Sequence, residues 1–364
     1  MTSLELLLKS LADAGGSDLH ICAGAAPAMR IAGDLRPMPN TSLSGIECTA
    51  MIREALGPEA TSDLAGTDEI DACHAIGALG RFRIRASRGH VGPAAVFRAI
   101  PETVPPLERL GLPRSVASFA GLRRGLVILA GPTGSGKTTT LASIVDAINR
   151  SRRVSVVTIE KPVEHVHASR ASMVIQREVG RHAASFAAGV AAALRDGPEV
   201  IVIGDVSSPD TIRAAMEAAS RGHLVLTAMC ASSAIDAIER VLESCAPSEL
   251  PRARCQLALH LQGVIAQTLV KRKDDKGRCP AVEALLNLAN MPTLIRDGKL
   301  QQAYATLQSS GRVGMSTLND SLVRLVSEGQ VDSREALAAS MDRDALLKGL
   351  LAAGVEIGER ALQA

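Results

Sequence analysis

The sequence predicts an α/β fold, with a parallel sheet covered by helices, a small α+β domain before it and a helical region after it. Three observations carry this prediction. Short apolar runs alternate with helical segments between residues 126 and 244. A glycine-rich stretch, Gly131-Pro132-Thr133-Gly134-Ser135-Gly136-Lys137-Thr138, joins the first run to the first helix. The proline-rich stretch PETVPPLERLGLP at 101–113 separates this part from an N-terminal segment of mixed periodicity. Alternating β and α segments are the signature of a parallel sheet with helices on its faces.

In chain order, Leu4, Leu7, Leu8 and Leu11 fit one face of a helix. The start has no basic segment and no cleavage site, so it does not read as a signal peptide. AMRIAGDL at 28–35 reads as a hairpin turning at Gly33-Asp34. Arg81–Ala86 and Ala94–Ile100 read as paired strands, with Phe82, Ile84 and Ala86 on one face and Arg81, Arg83 and Arg85 on the other. These elements make an N-terminal α+β domain over 1–100, followed by a linker at 101–115. LVILA at 126–130, VSVVTIE at 154–160, EVIVIGD at 199–205 and HLVLTAM at 223–229 read as buried parallel strands. Helices are expected near 137–149, 184–196, 209–221 and 233–244. The core is expected to span 116–295. From Pro251 onward a helical pattern dominates, with candidates at 257–269, 315–328 and 333–341 and a helical C-terminal region over 296–364.

The glycine-rich stretch fits G-x-x-x-x-G-K-[ST] and lies between a strand and a helix, the setting a phosphate-binding loop requires. Glycines let backbone N–H groups turn toward phosphate, and the helix N-terminus adds partial positive charge. Lys137 is expected to reach the β- and γ-phosphates, and Thr138 to ligate Mg²⁺. Thr139 extends the binding segment. The implied cofactors are therefore ATP and Mg²⁺.

Composition narrows the function classes. At 46% hydrophobic the chain can bury a large core. A net charge of +2, no Trp and 1% aromatics argue against nucleic acid as the partner. The seven cysteines show no C-x-x-C spacing, so they read as free thiols in a cytoplasmic protein and not as a zinc site. No run of 18 apolar residues is present, so any membrane link is expected through a partner.

Four segments in order, GPTGSGKTTT, TIEKPVE, VIGDVSS and GHLVLTAMCAS, resemble the phosphate loop, acidic box, Walker B segment and histidine box of the type IV pilus retraction ATPases. These PilT-type motors belong to the wider group of secretion and pilus-assembly ATPases. SDLHI at 17–21, GRFR at 80–83, GPAAVFRAIP at 92–101, LERLGLP at 107–113, QREVG at 176–180 and LIRDGK at 294–299 extend the resemblance over residues 5–335. It implies a PAS-like N-terminal domain, a RecA-like ATPase core and a homo-hexamer, in which a related ATPase could share the ring. It also implies docking on an inner-membrane pilus platform protein, from the cytoplasmic side. Glu160, Glu164, Asp205 and His223 would then be catalytic, with Thr138 and Asp205 at the metal. Arg81, Arg83, Arg88 and Arg98 would face a neighbouring subunit's nucleotide. The four-cysteine insertion common in extension and secretion motors is missing, which favours retraction over those branches.

The chain also departs from the family pattern. Lys161 replaces the aspartate of the acidic box, and Asp205 replaces the Walker B glutamate. Val206-Ser207-Ser208 replace Met-Arg-Asp, and Cys230 stands in for the second histidine. Hydrolysis needs carboxylates to organise the metal and the attacking water. Misplacing a reacting group by about 1 Å can cost roughly 100-fold in rate. Two outcomes therefore stand beside each other: a hydrolysing motor, or a nucleotide-binding accessory subunit of a more active relative. In the family's AIRNLIRE segment, Asn290-Met291-Pro292-Thr293 match poorly, and Pro292 is expected to break a helix.

Overall fold

The computed structural model describes residues 3–31, 33–39, 41–57, 69–274 and 277–355. The chain divides into two compact units, one of residues 1–103 with 162–166, the other of 104–161 with 167–364. Residue 32 of the expected hairpin, and residues 356–364 of the expected C-terminal region, lie outside the described residues.

Among the described residues, the first unit is an antiparallel sheet with two α-helices. Its strands are β1 (Asp18–Cys22), β2 (Ala28–Ile31), β3 (Asp34–Pro37), β4 (Glu69–Ala75), β5 (Arg81–Arg88) and β6 (Pro93–Ile100), in spatial order β3-β2-β1-β6-β5-β4. The helix Ser3–Asp13 buries Leu4, Leu7, Leu8 and Leu11, as their spacing requires. They pack with Phe82, Ile84 and Ala86 of β5 and with Phe97 of β6. The opposite face of β5 carries Arg81, Arg83 and Arg85. The helix Gly45–Leu56 opens on a capping box in which Ser44 and Glu47 satisfy each other's backbone amides.

The second unit is built on a seven-stranded sheet. Its strands are β7 (Gly125–Ala130), β8 (Ser155–Glu160), β9 (Met173–Glu178), β10 (Val200–Ile203), β11 (Leu224–Met229), β12 (Leu261–Lys271) and β13 (Arg278–Leu286), in order β13-β12-β7-β11-β10-β8-β9. All neighbours are parallel except β12 and β13. The unbroken apolar runs are explained by burial on both faces. Leu126, Ile128 and Ala130 enter one core, while Val127 and Leu129 enter the other. Ile201 and Ile203 alternate with Val200 and Val202 in the same way. The helix Lys137–Ser151 covers one face, and helices Phe186–Asp196, Pro209–Ser220, Ala234–Glu243 and Leu250–His260 cover the other.

Three expectations are corrected here. The stretch 257–269 is not one helix. The helix Leu250–His260 ends where Leu261 turns to extended backbone, and β12 begins there. Pairing with β7 and β13 outweighs an apolar spacing that also fits a helix. Of the expected linker 101–115, residues 104–115 group with the second unit, with Leu107 in its core and Leu110 and Leu112 packed against that core. Pro292 does not break a helix but begins one. It sits in the first turn of Met291–Asp297, where its missing N–H costs nothing.

Candidate functional site

The strands β7, β8, β10 and β11 run parallel, so their carboxyl ends share one edge of the sheet. In open α/β sheets, ligands bind outside that edge. Gly131–Gly136 leave the end of β7, Asp205 follows β10, Cys230 follows β11, and Glu160 ends β8.

The loop is shaped by its glycines. Gly131 (φ +145°), Gly134 (φ +78°) and Gly136 (φ +89°) all occupy backbone regions that L-residues avoid. A Cβ on Gly131 would lie 2.2 Å from the Gln267 carbonyl oxygen, and one on Gly136 would lie 2.7 Å from Gln267 Nε2. At Gly134 nothing lies within 4 Å of such an atom. Gly136 is also the N-cap of Lys137–Ser151 and offers no side chain to the first amides. Those N–H groups are left for an external acceptor. Lys137 Nζ donates to the Gly131 and Pro132 carbonyls, both at 2.8 Å. Burial pushes its ammonium pKa down, opposed by the nearby Cys230 and Asp205. The Ser135 hydroxyl is buried without a partner. A left-handed loop, unpaid helix amides and a lysine folded over the loop fit a nucleoside polyphosphate.

Thr138 lines a small cleft with Thr158, Glu160, His167 and Gly204. Glu160 accepts from Thr158 Oγ1 (2.6 Å) and Gln176 Nε2 (3.1 Å). Asp205 accepts from Ser207 Oγ, the side chain standing where the family pattern has arginine. Lys161 is exposed. The fold thus gathers Thr138, Glu160, Asp205 and Cys230 beside the loop.

It does not gather His223. This residue precedes β11, and its carbonyl accepts from Gly125 N at the opposite edge of the sheet. The six residues of β11 put it about 20 Å of strand away from Cys230. Its Nδ1 lies 2.6 Å from the Pro198 carbonyl, a structural bond. A catalytic role for His223 at this loop is therefore corrected. The residue that reaches the loop from that segment is Cys230.

Glu164 belongs to the first unit. Its carboxylate pairs with Arg83, and Arg81 donates to the Glu164 and Val163 carbonyls at 3.0 and 2.8 Å. Arg83 also pairs with Asp71 (2.7 Å), and these acids hold its pKa above the ordinary arginine value. Arg98 pairs with the buried Asp18 (2.7 Å), and Arg88 is exposed at the end of β5. Two of the four expected arginines are thus bound to the 162–166 segment of their own chain.

Sequence reasoning missed Gln267. It is 5% exposed in the middle of β12 and bonds both Ser135 and Thr140. Its only signal was a polar residue inside the apolar run GVIAQTLV.

A family model described as "Type II/IV secretion system protein" matches residues 70–349. The chain belongs to the Type II/IV secretion system protein family. As a member of the Type II/IV secretion system protein family it is a P-loop ATPase. It is 37% identical over 336 residues to the Type IV pilus retractation ATPase PilT of Pseudomonas aeruginosa, covering 92% of this chain and 97% of that one. A twitching motility protein of Neisseria gonorrhoeae is 35% identical, covering 88% and 86%. The Type IV pilus ATPase PilU of Pseudomonas aeruginosa is 34% identical, covering 92% and 87%. A crystal structure of the pilus retraction motor PilT with bound ADP superposes with a TM-score of 0.84 at 34% identity, covering 96% of this chain and 99% of that one. Among the described residues, no helix is long and apolar enough to cross a membrane.

Proposed function

We propose that this chain is a subunit of a type IV pilus retraction motor that binds ATP with Mg²⁺ at Gly131–Thr139 and hydrolyses it. The observation that carries this reading is the loop itself, held open by three positive-φ glycines, in a chain that spans 97% of the length of a PilT relative. Helix amides and Lys137 would bind the phosphates. Thr138 and Asp205 would hold Mg²⁺, which supplies charge neutralisation at the transferred phosphoryl group. Glu160 is the carboxylate best placed to orient water, since it shares the Thr138 cleft. The motor would work as a homo-hexamer, alone or mixed with a related ATPase. It would act in the cytoplasm on an inner-membrane platform protein. Arg88 and Arg98 are the two of the four whose exposure suits a neighbour's nucleotide, and Arg98 is already paired with Asp18.

A second reading has its own support. Asp205 is shorter than the family's glutamate and is engaged by Ser207, Lys161 stands beside Glu160, and Cys230 replaces a histidine. A thiol is a weak hydrogen-bond donor. These changes favour an accessory subunit that binds ATP and turns it over slowly.

ATP binding and hydrolysis measured side by side test both. Lys137→Ala is expected to weaken ATP binding at least tenfold and abolish turnover. Asp205→Glu and Lys161→Asp are expected to raise turnover with little change in affinity if the accessory reading holds. Absence of binding by the unaltered, folded chain would end both readings. Gene disruption separates the cellular roles: piliated, non-motile cells indicate retraction, and bald cells indicate assembly.

A further inference from the structure

The side chain of Gln267 is buried and bonds both the loop and the helix that follows it. Its Nε2 donates to the Ser135 carbonyl (2.7 Å), and its Oε1 accepts from Thr140 Oγ1 (2.9 Å). A carbonyl only accepts, so the amide group facing Ser135 must be the NH₂ end, and the Thr140 bond holds it in that orientation.

The Ser135 carbonyl and the Gly136 N–H belong to one peptide plane. In a trans peptide they point in opposite directions. A carbonyl pinned toward β12 therefore aims the Gly136 N–H away from β12, into the loop. Gly136 has φ +89°, a region where glycine rotates at little cost, so nothing in the backbone alone keeps this plane from flipping. We infer that Gln267 is a positioning residue for nucleotide binding: by fixing the Ser135–Gly136 peptide it presents the Gly136 N–H to the phosphates. This rests on the nucleotide-binding reading above and adds a residue and a task to it. Gln267 bonds the Ser135 carbonyl of the loop, so the role is indirect, exerted through the loop backbone.

The test uses the full chain, a fluorescent ADP analogue and ATP. Gln267→Met fills the space without a donor and is expected to weaken ADP binding about tenfold, the value of one lost hydrogen bond. Its melting temperature without nucleotide is expected to fall by a few degrees while the chain still folds, because the buried Ser135 carbonyl and Thr140 hydroxyl lose their shared partner. Gln267→Glu replaces the donor with an acceptor facing the Ser135 carbonyl. Its affinity is expected to be poor at pH 8 and to recover as pH falls and the carboxyl regains a proton, while the unaltered chain shows no such recovery. Thr140→Val is expected to weaken binding by a smaller factor alone and to add nothing in the Gln267→Met background, because both act on one amide. Tight ADP binding by folded Gln267→Met would overturn the role. If that variant does not fold, a pH-independent affinity in Gln267→Glu would overturn it equally. Failure of the unaltered chain to bind ADP would instead strike the nucleotide-binding reading, and this role with it.

Discussion

Gly131→Ala is expected to remove measurable nucleotide binding and to lower the stability of the second unit by about 3 kcal/mol or more, whereas Gly134→Ala costs about 1 kcal/mol in stability. Both glycines have positive φ, so both substitutions carry backbone strain. They differ in what the new methyl meets. At Gly134 there is open space. At Gly131 the Cβ falls 2.2 Å from the Gln267 carbonyl oxygen and 2.6 Å from Ser135 Oγ. The first of these is backbone in a strand paired on both sides, with β7 and β13, so it cannot move alone. The loop must shift instead, and Lys137 loses the carbonyl at Gly131 to which it now donates. Urea denaturation and calorimetry with ADP on both variants check this. Equal stability losses at the two positions would refute the packing argument.

The parts of the fold legible in the sequence are those where one physical signal acts alone. The parallel strands are apolar throughout because both their faces are covered, and the loop motif stands between a strand and a helix. β12 was not legible, because LALHLQGVIAQTLV satisfies helical spacing as well as a buried strand, and only its partners β7 and β13 decide. β9 was missed for a different reason. As an edge strand it leaves Met173 and Ile175 partly exposed and lacks the buried pattern. The candidate site shows the same limit. His223 and Cys230 lie in one motif, yet a strand carries the chain across the whole sheet, so residues at its two ends serve opposite edges. Arg81 and Arg83 read as a free basic face because Asp71 and Glu164, which engage them, lie 12 and 81 residues from Arg83 in sequence. Gln267 and Glu283 carried only the weak signal of a polar residue in an apolar run.

Glu283→Leu is expected to destabilise the second unit by about 2–4 kcal/mol, since each of two buried amides loses its acceptor at about 1–3 kcal/mol, partly offset by no longer burying a carboxylate. Glu283 lies on β13, 5% exposed. Its carboxylate accepts from the N–H of Ala234 at 2.7 Å and from the N–H of Leu318. These are the first residues of two helices, Ala234–Glu243 and Leu318–Ser327, so one side chain ties both helix starts to the sheet. The first of these helices begins four residues after Cys230, which places the tie close in sequence to the phosphate-binding edge. Burial raises the Glu283 pKa, and the two amide bonds oppose that shift only in part. A carboxyl with a raised folded pKa binds its proton more tightly in the folded state, so its contribution is fully present below the unfolded value near about 4.3 and declines as pH rises through the folded pKa. Glu283→Gln keeps a carbonyl acceptor and cannot titrate. It is expected to lose less stability than Glu283→Leu, and its loss relative to the unaltered chain should shrink as pH is raised from about 4.3 through the folded pKa. Urea midpoints at several pH values measure both effects. A Glu283→Leu variant as stable as the unaltered chain would remove the tie, and identical pH profiles for the unaltered chain and Glu283→Gln would remove the titration.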